Sequence, residues 1–159
     1  MKISIIAAMG ENRVIGIGNA LPWNIKEDLG YFRKKTMDKP VIMGERTFKS
    51  IGSPLPGRTN IVLSYDKNFR PRGCLMARSI KGALEKAGNA KEVMIAGGAS
   101  VYQQFLPLAD RMYLTLIREK FEGDVFFPEF NFSEWIEVEK KEGKEGKYSY
   151  DFVILERKK

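Results

Sequence analysis

An acidic residue, Asp28, lies on the apolar face of a predicted helix. Residues 25–36 are predicted to be helical, and residues three, four or seven apart then share one face. The other members of that face are Ile25, Leu29 and Phe32. Because a buried carboxylate needs a polar partner, either another side chain or a ligand must provide hydrogen-bond donors to it. Asp28 is therefore a candidate site residue.

A second explanation of Asp28 needs no ligand. The helix dipole favours negative charge in the first turns, and Asn24 is expected to cap this helix. The composition adds weight to the first explanation, since the 159 residues include no histidine. Acid–base chemistry must then come from carboxylates, tyrosines, lysines, the single Cys74 or bound water. We expect no metal site.

Two predicted strands run into glycine and then into a helix. Pro40–Gly44 precedes a helix that starts at Glu45, and Glu92–Gly98 precedes one that starts at Ala99. The N–H groups at a helix start attract anions, and two such starts suit the two phosphates of a dinucleotide. Neither segment matches the common dinucleotide or P-loop patterns, and each alone could be an ordinary turn.

Two loops complete the candidate site. The Pro56-Gly57 turn presents Arg58, whose guanidinium could bind a carboxylate or simply face solvent. Residues 10–23 form a long glycine-containing loop between the first strand and the helix that carries Asp28. We predict no secondary structure in this loop, which is typical of a lid, although a tolerated surface loop is the alternative.

The elements that must position these residues alternate between strands and helices. This order predicts an α/β fold with a mostly parallel sheet, and the last three strands predict an antiparallel C-terminal edge. A hairpin loop is predicted at 143–146, and Ser79 is expected to cap the third helix. The predicted helices are Ile25–Thr36, Glu45–Ser50, Ile80–Ala87 and Ala99–Phe105. The predicted strands are Ile3–Ala8, Pro40–Met43, Asn60–Leu63, Cys74–Ala77, Glu92–Ala96, Arg111–Ile117, Trp135–Glu139 and Tyr148–Glu156.

The composition indicates an ordinary globular chain, which we interpret as one domain over residues 1–159. Hydrophobic residues make up 43% and charged residues 30%, and no apolar run is long enough to span a membrane. One cysteine excludes an internal disulfide, and the N-terminus lacks the pattern of a signal peptide, so we expect a cytoplasmic protein. The net charge of +7 could attract anionic ligands. A nucleic-acid-binding module would need clustered arginines among exposed aromatics, so we expect no nucleic-acid partner. We also expect no membrane partner, and we expect the protein to be a monomer.

The motifs, taken in this order, resemble those of bacterial dihydrofolate reductases of the chromosomal type. The resemblance implies a single domain with a central, mostly parallel eight-stranded sheet, an antiparallel C-terminal edge and four flanking helices. It also implies NADPH-dependent reduction of 7,8-dihydrofolate to 5,6,7,8-tetrahydrofolate, and hence an antifolate target in one-carbon metabolism. The segments that carry it span the chain: Gly16–Asp28, Pro40–Gly44, Leu55–Arg58, Ile95–Gly98, Val101–Tyr102, Leu114–Thr115 and Glu122–Asp124.

The same resemblance implies roles for individual residues. Asp28 would bind the 2-amino group and N3 of the pterin with support from Thr115, while hydride goes to C6 and a water protonates N5. Arg58 would bind the α-carboxylate of the glutamate tail, and the Gly97–Gly98 bond would be cis. The implied catalytic residues are Asp28, Leu21, Trp23 and Thr115. The implied substrate-binding residues are Ile6, Ala7, Asp28, Leu29, Phe32, Arg33, Ile51, Leu55, Arg58 and Thr115. The implied cofactor-binding residues are Ala8, Ile15, Gly16, Asn19, Ala20, Leu21, Gly44, Arg46, Thr47, Leu63, Ser64, Arg78, Ala96, Gly97, Gly98, Ala99, Ser100, Val101 and Tyr102.

Two positions depart from the family pattern. Glu45 and Ser100 stand where relatives place arginines near the 2′-phosphate of NADPH. We therefore expect NADPH as cofactor, but with reduced discrimination against NADH, and the phosphate held by Arg46, Arg78 and the hydroxyls of Ser64 and Tyr65. A related reductase acting on another pterin-like or pyrimidine-like ring is the alternative activity.

Overall fold

The structure of the protein is a computed structural model that describes residues 1–16 and 21–159. Two of the expected cofactor-binding residues, Asn19 and Ala20, lie outside the described residues. In the described part of the chain none of the helices combines the length and apolarity needed to cross a membrane.

Ten strands and four α-helices occur within the described residues. The strands are β1 (Lys2–Met9), β2 (Val14–Gly16), β3 (Pro40–Gly44), β4 (Thr59–Leu63), β5 (Cys74–Ala77), β6 (Glu92–Ile95), β7 (Arg111–Ile117), β8 (Val125–Phe126), β9 (Trp135–Glu145) and β10 (Tyr148–Arg157). The helices are α1 (Lys26–Thr36), α2 (Glu45–Ile51), α3 (Ile80–Lys86) and α4 (Ala99–Phe105), and short 3-10 helices lie at Leu106–Leu108 and Phe132–Glu134.

A central eight-stranded sheet has the order β5-β4-β3-β6-β1-β7-β10-β9. The strands from β5 to β7 in this order pair in parallel, whereas β10 is antiparallel to both β7 and β9. The predicted fold class is therefore confirmed, including the antiparallel C-terminal edge. Apolar runs predicted the parallel strands because such strands are buried on both faces.

Helices cover both faces of the sheet. Successive residues of a strand point to opposite faces, so Ile5 and Ile6 of β1 belong to different core clusters. The Ile5 cluster includes residues of α3 and α4, such as Phe105, and the Ile6 cluster includes Phe48 of α2 with Phe32 of α1 packed against it. At α3 the predicted cap is confirmed, because the Ser79 side chain accepts a hydrogen bond from the Gly82 N–H at 3.0 Å.

The prediction that Asn24 caps α1 is wrong. Ile25 holds the cap position, and no side-chain cap hydrogen bond is made there by the described residues of that turn. The carboxylate of Glu145, from the end of β9, instead accepts the backbone N–H groups of Lys26 at 2.7 Å and Glu27 at 3.1 Å. A partner so distant in sequence leaves no local signal.

The hairpin and the long loop also differ from the predictions. Strand β9 continues to Glu145, and the turn lies at residues 146–147 rather than 143–146. Gly143 pairs with Tyr150 inside the ladder, where a side chain at 143 would collide with the Tyr150 ring. The loop from residue 10 contains β2, which pairs with β8 in a second small sheet. Both strands are too short for a period-2 pattern to reveal them.

Candidate active site

A cavity of about 920 Å³ opens at the carboxyl ends of the parallel strands. The ends of β1, β3 and β4 contribute Ala8, Gly44 and Leu63, and the starts of α1, α2 and α4 form its sides. Its volume falls at the upper end of the range for small-molecule sites, about 300–1,000 Å³. Ligands of parallel α/β proteins bind at this edge of the sheet.

Large apolar side chains stand exposed on the cavity wall. Leu21 is 51% exposed, Leu29 57% and Ile51 41%, and all three line the cavity. Asp28 and Leu29 therefore lie on one face of the helix, as the helical spacing predicted. At Leu29, however, this face borders the cavity and not the core. Apolar surface gathered around a concave site indicates a ligand with flat or apolar parts.

Asp28 faces the same cavity and is anchored from the sheet. The hydroxyl of Thr115, which is 2% exposed, donates to Asp28 Oδ1 at 2.7 Å. Burial raises the pKa of the Asp28 carboxyl, and the hydrogen bond from Thr115 opposes that rise. Within the described residues, the hydroxyl of Thr115 is thus the hydrogen-bond donor that orients this carboxylate toward the cavity.

Two tyrosines border this region. The Tyr102 hydroxyl donates to the Ile6 carbonyl at 2.8 Å, which ties α4 to the end of β1. The ring of Tyr31 stacks on Phe152 with centroids 4.2 Å apart. Burial raises the pKa of both phenols, and the charge of Asp28 adds to the rise. Both phenols therefore stay protonated at neutral pH.

The two strand–glycine–helix junctions meet in the cavity. The Gly44 N–H donates to the Gly97 carbonyl at 2.8 Å, and the Gly97–Gly98 bond is cis, as expected. Gly97 has a φ of +102°, and a side chain there would lie 3.0 Å from the Tyr102 ring. The cap residues Gly44 and Gly98 have no side chain that could accept a hydrogen bond from the first helix N–H groups, and the residues at both helix starts line the cavity.

Charged and hydroxyl groups gather at the end of the cavity beside α2. Glu45 accepts the Ser64 hydroxyl at 2.5 Å through Oε1 and the Lys49 ammonium at 2.8 Å through Oε2. These two hydrogen bonds lower the pKa of the Glu45 carboxyl. Tyr65, which is 74% exposed, and Asp66 line the same end.

The structure brings most of the predicted site residues together. Trp23 instead packs in the core against Phe121, with ring centroids 5.1 Å apart. Arg78 donates to the Ser64 and Asp66 carbonyls at 2.9 and 2.8 Å, so it supports the loop behind the cavity. The predicted residues outside the cavity wall are Trp23, Arg33, Leu55, Arg58, Arg78, Gly97 and Val101. Those on the wall are Ile6, Ala7, Ala8, Ile15, Gly16, Leu21, Asp28, Leu29, Phe32, Gly44, Arg46, Thr47, Ile51, Leu63, Ser64, Ala96, Gly98, Ala99, Ser100, Tyr102 and Thr115.

Arg58, outside the cavity wall, is held by its own turn and by α1. Its Nε donates to the Pro56 carbonyl at 2.9 Å, and its Nη1 donates to the Thr36 hydroxyl at 3.1 Å. Burial lowers the pKa of Arg58, and the nearby charge of Arg33 lowers it further. An anion bound near Arg33 and Arg58 would reduce the repulsion between their two positive charges.

The sequence did not single out several residues of the cavity wall. Tyr31 lies three residues after Asp28, and Ser50 lies near Arg46 on α2, so helical spacing could have found both. Asp66 follows β4 in a loop, and Val125 belongs to the two-residue strand β8; neither had a usable signal. These residues all line the cavity.

Comparisons with known proteins agree on one family. The family model described as dihydrofolate reductase matches residues 2–157. A dihydrofolate reductase of Staphylococcus haemolyticus is 44% identical over 160 residues, which cover 99% of this chain and 96% of that protein. One of Bacillus subtilis is 43% identical over 159 residues, covering 98% and 95%. The solved structure of the Enterococcus faecalis dihydrofolate reductase complexed with NADP(H) has a TM-score of 0.93 and 34% identity, covering 99% of this chain and 97% of that chain.

Proposed function

The chain belongs to the dihydrofolate reductase family, and we propose on that premise that it is an enzyme that reduces 7,8-dihydrofolate to 5,6,7,8-tetrahydrofolate with NADPH. The observation that carries the proposal is Asp28, a mostly buried carboxylate that faces the cavity and is anchored by Thr115. Such a group selects a ring with two adjacent hydrogen-bond donors.

The cavity wall around Asp28 suits the pterin half of the substrate. An ionised carboxylate can accept hydrogen bonds from the 2-amino group and N3 of a pterin, and Thr115 fixes its orientation. Leu29, Phe32 and Ile51 would pack on the pterin and benzoyl rings as apolar walls. The remaining substrate contacts in the proposal come from Ile6 and Ala7 on the wall, and from Leu55, Arg33 and Arg58, which lie outside that wall.

The rest of the cavity fits a dinucleotide. The uncapped helix starts at Gly44 and Gly98 face the same space and would hold the diphosphate, and Ala8, Ile15 and Leu21 would pack on the nicotinamide. When bound there, NADPH supplies the hydride. The chain's own contribution is to hold the two rings in contact and exclude water from the apolar side.

The proton for N5 would come from a water molecule. Tyr31 and Tyr102 have pKa values raised by burial, so neither is a ready proton donor at neutral pH. Asp28 is committed to Thr115 and to the 2-amino edge of the pterin, which is remote from N5 on the same ring system. Hydride addition to C6 and proton addition to N5 then balance the reduction of the C6–N5 double bond.

Four wider expectations belong to the same proposal. Residues 1–159 would act as one domain, as a monomer, and in the cytoplasm. The enzyme would bind small molecules and neither nucleic acid nor membranes.

Loss of NADPH absorbance in the presence of dihydrofolate tests the activity directly, and Asp28→Asn tests the role of the carboxylate. We expect the variant to bind NADPH normally and to lose roughly 100-fold or more in the single-turnover rate at neutral pH, with partial recovery at low pH where the substrate protonates in solution. Glu27→Gln is the matched control, because the Glu27 carboxylate lies on the same helix but accepts the Tyr150 hydroxyl instead. Equal single-turnover rates for Asp28→Asn and the wild type at neutral pH would overturn the assignment.

A further inference from the structure

The Glu45 carboxylate lines the cavity well away from Asp28 along the sheet. Asp28 is anchored to β7, whereas Glu45 follows β3 and bonds to Ser64 after β4, which lie three and four strands away from β7 in the sheet order. If hydride passes to a pterin held by Asp28, the nicotinamide must lie beside that ring and the diphosphate must cross Gly44 and Gly98. The adenosine half then reaches the end formed by Glu45, Ser64 and the residues after Ser64. This step rests on the proposed function.

We propose that Glu45 sets the choice between NADPH and NADH, because it engages the Ser64 hydroxyl and places negative charge where a ribose 2′-phosphate would bind. The ribose hydroxyls of NADH would instead donate hydrogen bonds to this carboxylate. Acidic side chains recognise unphosphorylated ribose in this way in other dinucleotide-binding folds.

The Ser64 hydroxyl already donates its one proton to a neighbour. It donates its proton to Glu45 at 2.5 Å, and its oxygen accepts the Asp66 backbone N–H at 3.1 Å. A phosphate that sought the Ser64 proton would have to displace the Glu45 carboxylate. The Glu45 side chain is only 26% exposed and Lys49 holds its other oxygen, so it is fixed on two sides.

The nearby cations do not restore a phosphate site. The Lys49 ammonium is bound to Glu45 and lies 5.1 Å from the centroid of the Phe69 ring. Arg78 directs Nη1 to the Ser64 and Asp66 carbonyls. Arg46 is exposed and lines the cavity together with Glu45 and Asp66. The carboxylates therefore oppose the attraction that Arg46 would exert on a phosphate.

Calorimetric titration with two pairs of ligands measures the discrimination without catalysis. The first pair is NADPH and NADH, and the second is adenosine 2′,5′-bisphosphate and 5′-AMP, which differ only in the 2′-phosphate. Glu45→Gln removes the charge and keeps the shape, and Lys49→Met leaves the carboxylate without its cation. Glu137→Gln on the exposed face of β9 is the matched control for the change in net charge. Circular dichroism confirms that each variant is folded.

We expect Glu45→Gln to raise the affinity ratio of phosphorylated to unphosphorylated ligand roughly tenfold in both pairs, the order of one charge contact in a partly solvated site. Lys49→Met should lower the ratio, and Glu137→Gln should leave it unchanged. A ratio that rises less than threefold in Glu45→Gln, or that rises equally in Glu137→Gln, overturns the proposal. If the wild type binds neither dinucleotide, the proposed function fails as well, whereas tight NADPH binding with an unresponsive ratio refutes this inference alone.

Discussion

The ionised Asp28 carboxylate makes the folded protein less stable at neutral pH. Burial raises its pKa and Thr115 only partly opposes the rise, so the folded state binds the proton more tightly than the unfolded chain does. The contribution of Asp28 to stability therefore falls as the pH rises from its ordinary pKa through the raised one. At neutral pH a ligand that donates hydrogen bonds to Asp28 would offset this loss of stability. A ligand that binds only the folded state stabilises it, so the same hydrogen bonds contribute to the affinity for the ligand.

In the proposed function, Arg58 binds the glutamate tail of dihydrofolate. It bonds to Thr36, eight residues after Asp28 on α1, which corresponds to about 12 Å along the helix. We expect Arg58→Ala to weaken dihydrofolate binding roughly tenfold or more, because a charge-assisted bidentate contact is lost. A dihydropterin that lacks the glutamate should bind the variant and the wild type equally, as measured by fluorescence titration.

Arg70→Ala is the matched control for Arg58→Ala. Its side chain also bonds to a carbonyl of its own turn, that of Lys67 at 3.1 Å, but it lies outside the wall of the main cavity. Equal losses of dihydrofolate and of the truncated pterin in Arg58→Ala would contradict the assignment of Arg58 to the glutamate tail.

Single residues were predictable where the signal was local. Helical spacing alone marks Asp28 as misplaced, whereas its partner Thr115 lies 87 residues away on β7, and only the family resemblance pointed to it. For Arg78 the resemblance implied a cofactor contact, which stays a prediction, whereas the bonds of its Nη1 to two backbone carbonyls are encoded by no sequence pattern.

At the scale of elements, the hairpin of β9 and β10 holds the start of the helix that carries Asp28. Glu145 accepts the N–H groups of Lys26 and Glu27, and these hydrogen bonds lower the pKa of its carboxyl. A lowered pKa means that this stabilisation is present above the ordinary glutamate pKa and is lost as the pH falls through the lowered one.

We expect Glu145→Ala to lower the Tm at neutral pH by a few degrees, because two N–H groups at the start of α1 lose their acceptor. The difference from the wild type should shrink in acid, where the wild-type carboxylate is itself protonated. Thermal unfolding followed by circular dichroism at several pH values measures this. Glu137→Ala, on the same strand but exposed, should show neither effect, and a Glu145→Ala difference that does not change with pH would contradict the mechanism.

Elements with a clear boundary in the sequence were predictable. The strands β5 and β7 and the helix α4 have the predicted bounds, since β5 follows Gly73, β7 lies between Asp110 and Arg118, and α4 follows Gly98. The bounds of β9 were wrong because it is an exposed edge strand, rich in lysine and glutamate, and such strands carry charge instead of an apolar pattern.

At the scale of the whole molecule, the residues at the two ends of the parallel strands differ in kind. The carboxyl ends of the strands surround the cavity, and a polar network lies near the amino ends. Glu92, the first residue of β6, accepts Ser4 Oγ of β1 at 2.6 Å, Lys39 Nζ at 2.7 Å and the Tyr113 hydroxyl of β7 at 2.9 Å. Burial raises the pKa of Glu92, but these hydrogen bonds outweigh it and leave the pKa lowered.

Glu92, on β6, bonds to Lys39 before β3 and to residues of β1 and β7, at the ends of the strands opposite the cavity. A substitution of Glu92 should therefore affect stability without affecting ligand binding. We expect Glu92→Gln to reduce the free energy of unfolding by about 1–3 kcal/mol, since hydrogen bonds to a charged acceptor are replaced by weaker ones. This reduction in the free energy of unfolding should have its full size above the ordinary glutamate pKa. It should shrink as the pH falls through the lowered pKa of Glu92. Denaturant unfolding across that range measures it, while KM for dihydrofolate and for NADPH stays at the wild-type value. A changed KM with unaltered stability would mean that the amino ends of the strands also shape the cavity.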